Sequence, residues 1–209
     1  MMKRRQILLG SLAVAALAAP LAGSAGRRAR AQTMEIFPDD RILGSADAKL
    51  TIIEYSSLTC PHCAALHADA LPRIRETWIA DGRARLVYRH YPLDGLALRA
   101  AAVANCVEGE RYFGFLDLLF QNQPRWARSS DPVQELGQIA RLAGMSQGQF
   151  ESCVGDEAEM DKIITRAQSG RTTFNVESTP TMIVNGRKIE GAQSFEDYDA
   201  IFSKIAADS

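Results

Sequence analysis

Four residues, Cys60-Pro61-His62-Cys63, constrain this chain more than any other stretch, because they sit between an apolar strand pattern and a helical one. Leu50-Thr51-Ile52-Ile53-Glu54-Tyr55 leads in, and Ala64, Leu66, Ala68 and Leu71 follow at helical spacing. A strand, a turn and a helix opening on C-x-x-C is the context in which two cysteines act as a reversible dithiol/disulfide switch. The first cysteine then stands at a helix N-terminus, where unpaired N–H groups and a partial positive charge favour its thiolate. His62 adds a hydrogen bond or a cation to that anion. Pro61 belongs in the first helical turn, where a missing N–H costs nothing.

Two other chemistries use the same residue types. Cys60, Cys63 and His67 could converge on a metal with three ligands, but a structural zinc site takes four, and Cys106 and Cys153 stand far apart. Haem attachment needs His directly after the second cysteine, where this chain has Ala64. The leading expectation is redox use of the pair, with no metal and no cofactor besides the Cys60–Cys63 disulfide itself.

The first 31 residues carry six bases and no acid, and Ile7 to Leu21 is almost continuously apolar. A basic start, a short apolar run and Ala29-Arg30-Ala31 read as an export signal cleaved before Gln32. Arg4-Arg5 fits twin-arginine export, and a general secretion signal fits as well. The 178 residues left carry 18 bases against 25 acids. This acidic balance, with no basic run, argues against nucleic-acid binding. The expected location is the periplasm, where cysteines can be oxidised.

An α/β unit is predicted from residue 32 to 94, with strands at Ile42-Leu43, Leu50 to Tyr55 and Ala84 to Tyr91 and a helix from His62 to Ala80. Residues 171–209 close the chain with Thr181 to Val184, an Asn185-Gly186 hairpin turn, Arg187 to Ile189, and a helix from Ser194 to about Ala207. Residues 95–170 show only helical spacing and read as an all-helical insertion with its own small core. Within it, Asp131-Pro132 starts a helix that Gly144 ends, with Ile139 and Leu142 facing inward. Phe113, Phe115 and Phe120 read as core.

Ile52-Ile53-Glu54-Tyr55-Ser56 before Cys-Pro-His-Cys, the stretch Asn105 to Phe113, and Thr179-Pro180-Thr181-Met182-Ile183-Val184-Asn185-Gly186 together resemble the DsbA-like family of thiol-disulfide oxidoreductases. The resemblance spans the mature chain. It implies an α/β fold of thioredoxin type with an inserted helical subdomain, and oxidation of reduced, unfolded exported proteins. A DsbB-type membrane partner linked to quinones would restore the disulfide, and a monomer is expected.

The same resemblance gives roles to further residues. Pro180 falls at the family's cis-proline, beside the active cysteines, where a substrate peptide pairs as an added strand; Pro61 and Thr179 flank that binding surface. Glu54 matches the family's buried carboxylate, which moves protons for Cys63; the basic partner such a carboxylate often has is not assignable here, and Arg89 or the Tyr88 hydroxyl would have to substitute. Thr179 stands where oxidases of the family often carry valine, so an isomerase or reductase of the same fold is the alternative, and a metal-binding thiol module a second one. Cys106 and Cys153 are expected to form a structural disulfide, both sulfurs pointing into the insertion, as similar helical cysteines do in some DsbA-like proteins; two buried free thiols are the other possibility.

Overall fold

The computed structural model describes residues 34–109 and 111–208, so the expected export signal over residues 1–31 lies outside the described residues. Five strands form one mixed sheet: β1 Arg41–Leu43, β2 Leu50–Ser56, β3 Ala84–His90, β4 Thr181–Val184 and β5 Arg187–Glu190, in the order β1-β3-β2-β4-β5. The central β2 runs parallel to β3 and antiparallel to β4. Seven consecutive buried residues in β2 place it in the middle of the sheet with both faces covered. Asn185 and Gly186 both have positive φ, which the tight β4–β5 turn requires.

Between β2 and β3 the expected continuous helix is broken. It runs as α1 Pro61–Ala68, α2 Ala70–Ile74 and a π-helical turn Arg75–Ile79. Pro72 explains the break after Ala68, because it offers no N–H and its ring collides with the carbonyl four residues back.

Six helices separate β3 from β4: α3 Gly95–Asn105, α4 Arg111–Gln121, α5 Gln123–Trp126, α6 Pro132–Leu142, α7 Gln147–Val154 and α8 Glu157–Phe174. Position 170 lies inside α8, which continues to an αL cap at Asn175. Asp94, Asp131, Ser146 and Asp156 cap α3, α6, α7 and α8 through their side chains. The chain ends in α9 Phe195–Ala207, capped by Ser194, with Tyr198, Phe202 and Ile205 buried.

The separate insertion core does not exist. Val103, Phe115, Leu116, Trp126 and Ile139 belong to one continuous cluster with Ile52, Tyr88 and Met182 of the sheet. Short helices cannot bury enough area on each other, so they use the sheet face as a floor. Leu142, expected inside, is 73% exposed, because the face that α6 buries is the one carrying Leu136, Ile139 and Ala140, and Leu142 lies off it. On the other face of the sheet a smaller cluster joins Ile53, Tyr55, Val87 and Ile183 to Phe174 and Val176. Among the described residues no helix is long and apolar enough to cross a membrane.

Candidate active site

The alternation of β2 decides what lies beneath the cysteines. Ile52, Glu54 and Ser56 face the large core, whereas Ile53 and Tyr55 face the small one. The strand then delivers the chain through Ser57–Thr59 to Cys60, which is the N-cap of α1, with Pro61 at the first helical position. Gln123 of the helical segment fixes this turn from below. Its buried amide donates to the carbonyls of Leu58 and Cys60, each at 2.9 Å. Thr59 also donates to Asp94 at 2.7 Å, tying the turn to the start of α3.

Cys60 and Cys63 are both free thiols in this structure. Cys60 is 6% exposed and Cys63 0%, so Cys60 is the outer sulfur although it barely reaches the surface. Their proton affinities diverge. A hydrogen bond from the Cys63 thiol, then one from Thr179 and the backbone N–H groups of Cys63 and His62, outweigh desolvation and bring Cys60 down to about 5. Burial, together with that same bond to Cys60, pushes Cys63 far up, partly opposed by the hydroxyl of Ser56. His62 itself is exposed, and what it gives Cys60 is its backbone N–H rather than the ring contact expected from sequence.

The Thr179–Pro180 peptide is cis and lies against the cysteines, with Cys60 Sγ donating to the Thr179 carbonyl at 3.4 Å. The Thr179 hydroxyl is buried and has no partner at ordinary hydrogen-bond geometry among the described residues, so it is available to the sulfur once that is a thiolate.

Glu54 is fully buried, but neither of its expected partners holds it. Arg89 lies on the opposite face of the sheet, bonded to Asp40 and Tyr55, and Tyr88 makes no hydrogen bond to the carboxylate. The partner is His67, whose Nε2 lies 2.9 Å from Glu54 Oε1. Ser56 donates to the same oxygen at 2.6 Å. On its outer side His67 Nδ1 is 3.5 Å from Asp117 of α4, and Arg75 donates to Asp117 at 2.6 Å. Phe120 stacks on the imidazole with centroids 4.0 Å apart.

Burial works against charge on both Glu54 and His67, but each other's charge and hydrogen bonds overcome it. Glu54, aided also by Ser56 and Arg75, is held below the usual carboxylate range. His67, aided by Asp117 and opposed by Arg75, is held above its ordinary value. Both shifts favour the pairing of a carboxylate with an imidazolium, a state in which both ring nitrogens donate. His67 is thus engaged with Glu54 and Asp117, and no group of three or more metal-ligating side chains comes together among the described residues.

Away from the active cysteines, a disulfide joins Cys106 to Cys153. Its sulfurs do not both point inward as expected. Cys153 is buried in α7, but Cys106 is exposed at the C-cap of α3, where the helix has already turned out of the core.

Sequence reasoning missed four residues: Gln123, His67 as a partner of Glu54, Ser56 and Asp117. For His67 the signal was present, since it follows Cys63 by one helical turn and must share its inward face. For Gln123 and Asp117 there was none, because their place depends on how the insertion folds back.

Residues 37–204 match the family model described as thioredoxin. The chain belongs to the thioredoxin family, in its DsbA-like branch. The crystal structure of Wolbachia pipientis alpha-DsbA1 superposes with a TM-score of 0.77 at 29% identity, covering 84% of this chain and 94% of that one. A putative protein-disulfide oxidoreductase of Rickettsia bellii is 28% identical over 160 residues, 76% of this chain and 61% of that protein. Disulfide bond formation protein D of Bacillus subtilis is 24% identical over 168 residues, 78% of this chain and 74% of its own length. The chain thus spans about three-fifths of the Rickettsia relative it matches.

Proposed function

We propose that this DsbA-like protein is a thiol-disulfide oxidoreductase working as a periplasmic dithiol oxidase, with Cys60 and Cys63 as its redox pair. The observation that carries the reading is the divergence of the two sulfurs, Cys60 down to about 5 and Cys63 far up. A substrate thiolate attacks Cys60 Sγ, the Cys60–Cys63 bond breaks, and Cys63 leaves as a thiolate that takes up a proton. The second substrate thiolate then attacks the substrate sulfur of the mixed disulfide, and Cys60 leaves as a stabilised thiolate. Stabilising that leaving group makes the enzyme's disulfide the better oxidant. Glu54 supplies and removes the proton of Cys63, while Pro61, His62, Thr179 and Pro180 form the surface against which the peptide lies. The clients are reduced, unfolded exported proteins, and a DsbB-type membrane partner linked to quinones restores the disulfide of a monomeric enzyme. The cleavable signal over residues 1–31 and the structural role of Cys106–Cys153 belong to the same reading.

The test is stoichiometric. Oxidised protein mixed with a reduced dithiol peptide should convert one peptide per enzyme, and Cys60→Ser should abolish conversion; activity surviving in that variant would sink the assignment. Thr179 supports a second reading, an isomerase or reductase, because its hydroxyl can prolong a mixed disulfide at Cys60. The reduction potential of the pair decides. A value near that of thioredoxin, about −270 mV, favours the reductase, and one far above it the oxidase.

A further inference from the structure

The oxidase reading leaves a proton problem. Cys63 must gain a proton each time the enzyme is reduced and lose one each time it is reoxidised, yet Cys63, Ser56 and Glu54 are each 0% exposed. Protons can cross a sealed region only along hydrogen-bonded groups.

One such line is built here. The Ser56 hydroxyl faces Cys63 and donates to Glu54 Oε1 at 2.6 Å. The same oxygen receives His67 Nε2 at 2.9 Å. His67 Nδ1 meets Asp117 at 3.5 Å, and the Asp117 side chain is 28% exposed. A surface pocket between α1 and α4, lined by Ala64, Ala68, His67 and Asp117 among others, opens onto this end. Both buried donors converge on Oε1 of Glu54, leaving Oε2 buried with no partner among the described residues. Resting on the oxidase reading, we propose that Ser56, Glu54, His67 and Asp117 form the proton line of Cys63, with His67 as its outer gate. His67 acts through Glu54 and is a positioning residue.

The steps balance. When a mixed disulfide between Cys60 and glutathione collapses, the Cys63 S–H proton passes through Ser56 to Glu54. The Cys63 thiolate attacks Cys60 Sγ, the bond from Cys60 to glutathione breaks, and glutathione leaves as a thiolate that solvent protonates. While Cys63 is an anion, the His67 imidazolium balances it. Once the new S–S bond has consumed that anion, the cluster holds one surplus proton, and Nδ1 releases it to Asp117 and solvent. Reduction runs the line in reverse. The imidazole keeps its Nε2–H on Glu54 throughout, so the stacking of Phe120, which resists rotation of the ring, costs the cycle nothing.

The groups facing His67 are Glu54 from β2, Asp117 and Phe120 from α4, Arg75 from the π-helical turn and Tyr88 from β3. Of these, only Arg75 opposes its charge, and Arg75 is itself paired with Asp117.

The experiment mixes reduced full-length protein with saturating oxidised glutathione and follows collapse of the mixed disulfide by acid quench and mass spectrometry from pH 6 to 8. The wild-type rate should be nearly flat with pH. His67→Gln, which keeps a hydrogen bond but cannot titrate, should collapse roughly tenfold more slowly at pH 7 and speed up as pH rises, because hydroxide must now take the proton. His67→Gly should be equally slow and regain speed with free imidazole entering from the pocket. Asp117→Asn, a change at a partly exposed site, gives the same pH signature if the histidine variants do not fold. A wild-type rate and pH profile in His67→Gln or Asp117→Asn, or no imidazole rescue of a folded His67→Gly, overturns the proton line. Failure of the oxidase reading looks different, since the wild-type protein would then leave a reduced dithiol peptide unoxidised whatever His67 does.

Discussion

The two faces of the central sheet each bury an ion pair, and the pairs are built to opposite standards. Behind β2, Arg89 makes four hydrogen bonds, two of them a fork onto Asp40, one to Tyr55 Oη and one to the Glu35 carbonyl. Both side chains of that pair are at most 3% exposed, and Arg166 adds a further contact to Asp40. In front, Glu54 stacks both of its bonds on one oxygen and leaves the other without a partner among the described residues. Complete satisfaction is what a structural pair needs, because any unmade bond in the interior is costly. An incompletely satisfied carboxylate next to a buried thiol is better suited to taking a proton. The contrast teaches that burial and pairing alone do not mark a site; the spare acceptor does.

Removing the back pair should have the largest effect. Arg89→Leu leaves Asp40 with Arg166 as its cation and the Phe37 N–H as a further donor, and should destabilise by about 3–5 kcal/mol, the lower end if Arg166 swings over. Urea unfolding measures this. The midpoint of Cys60 thiolate absorbance should stay near 5, since Arg89 does not touch the cysteines. A shift of that midpoint would mean the two faces are coupled and the contrast false.

A second prediction uses two histidines of the front side. His67 lies between two carboxylates, whereas His90 of β3 has none among the described residues. Burial, partly opposed by Asn105 and reinforced by Arg41, pushes His90 down to about 3, and Tyr112 Oη lies 3.0 Å from its Nε2. A folded-state pKa below the unfolded value means stability is full above pH 6.5 and lost as pH falls towards 3. Between pH 6.5 and 4.5 the loss from His90 should be roughly 2–3 kcal/mol, at 1.36 kcal/mol per pH unit. His67, raised in the fold, works in the other sense: its contribution is present below pH 6.5 and is lost as pH rises through its folded value. His90→Asn should flatten the acid limb of a stability–pH curve, and an unchanged limb would show that His90 is not buried neutral.

How much of this was legible in the sequence differs between the faces for a physical reason. The strands, the active-site turn, the Asn185-Gly186 hairpin and the last helix follow from local periodicity and turn chemistry, and they occur where expected. The same periodicity should have removed Arg89 as a partner of Glu54. Parallel pairing sets Glu54 against Tyr88 and Tyr55 against Arg89, so Arg89 shares a face with Tyr55. Contacts made across the insertion were not legible. Asp117 to His67, Gln123 to Cys60 and the outward turn of Cys106 depend on how six helices settle on the sheet, which no local pattern encodes.

The smallest expected change in stability comes from replacing the front pair outright. Glu54→Leu with His67→Leu removes both buried charges, and swapping a buried ion pair for apolar residues of similar size is often neutral or stabilising. Ser56 loses its acceptor and Asp117 keeps Arg75, so the net gain should be no more than about 1 kcal/mol. Either single replacement strands the other charge in the interior and should cost about 3–5 kcal/mol. Collapse of the glutathione mixed disulfide should nevertheless be slow in the double variant, because no group remains to take the Cys63 proton. A stable but slow double variant is the signature of a pair kept for chemistry. If it instead loses several kcal/mol, the front pair holds the fold together as the back pair does, and the unpartnered oxygen of Glu54 has no special meaning.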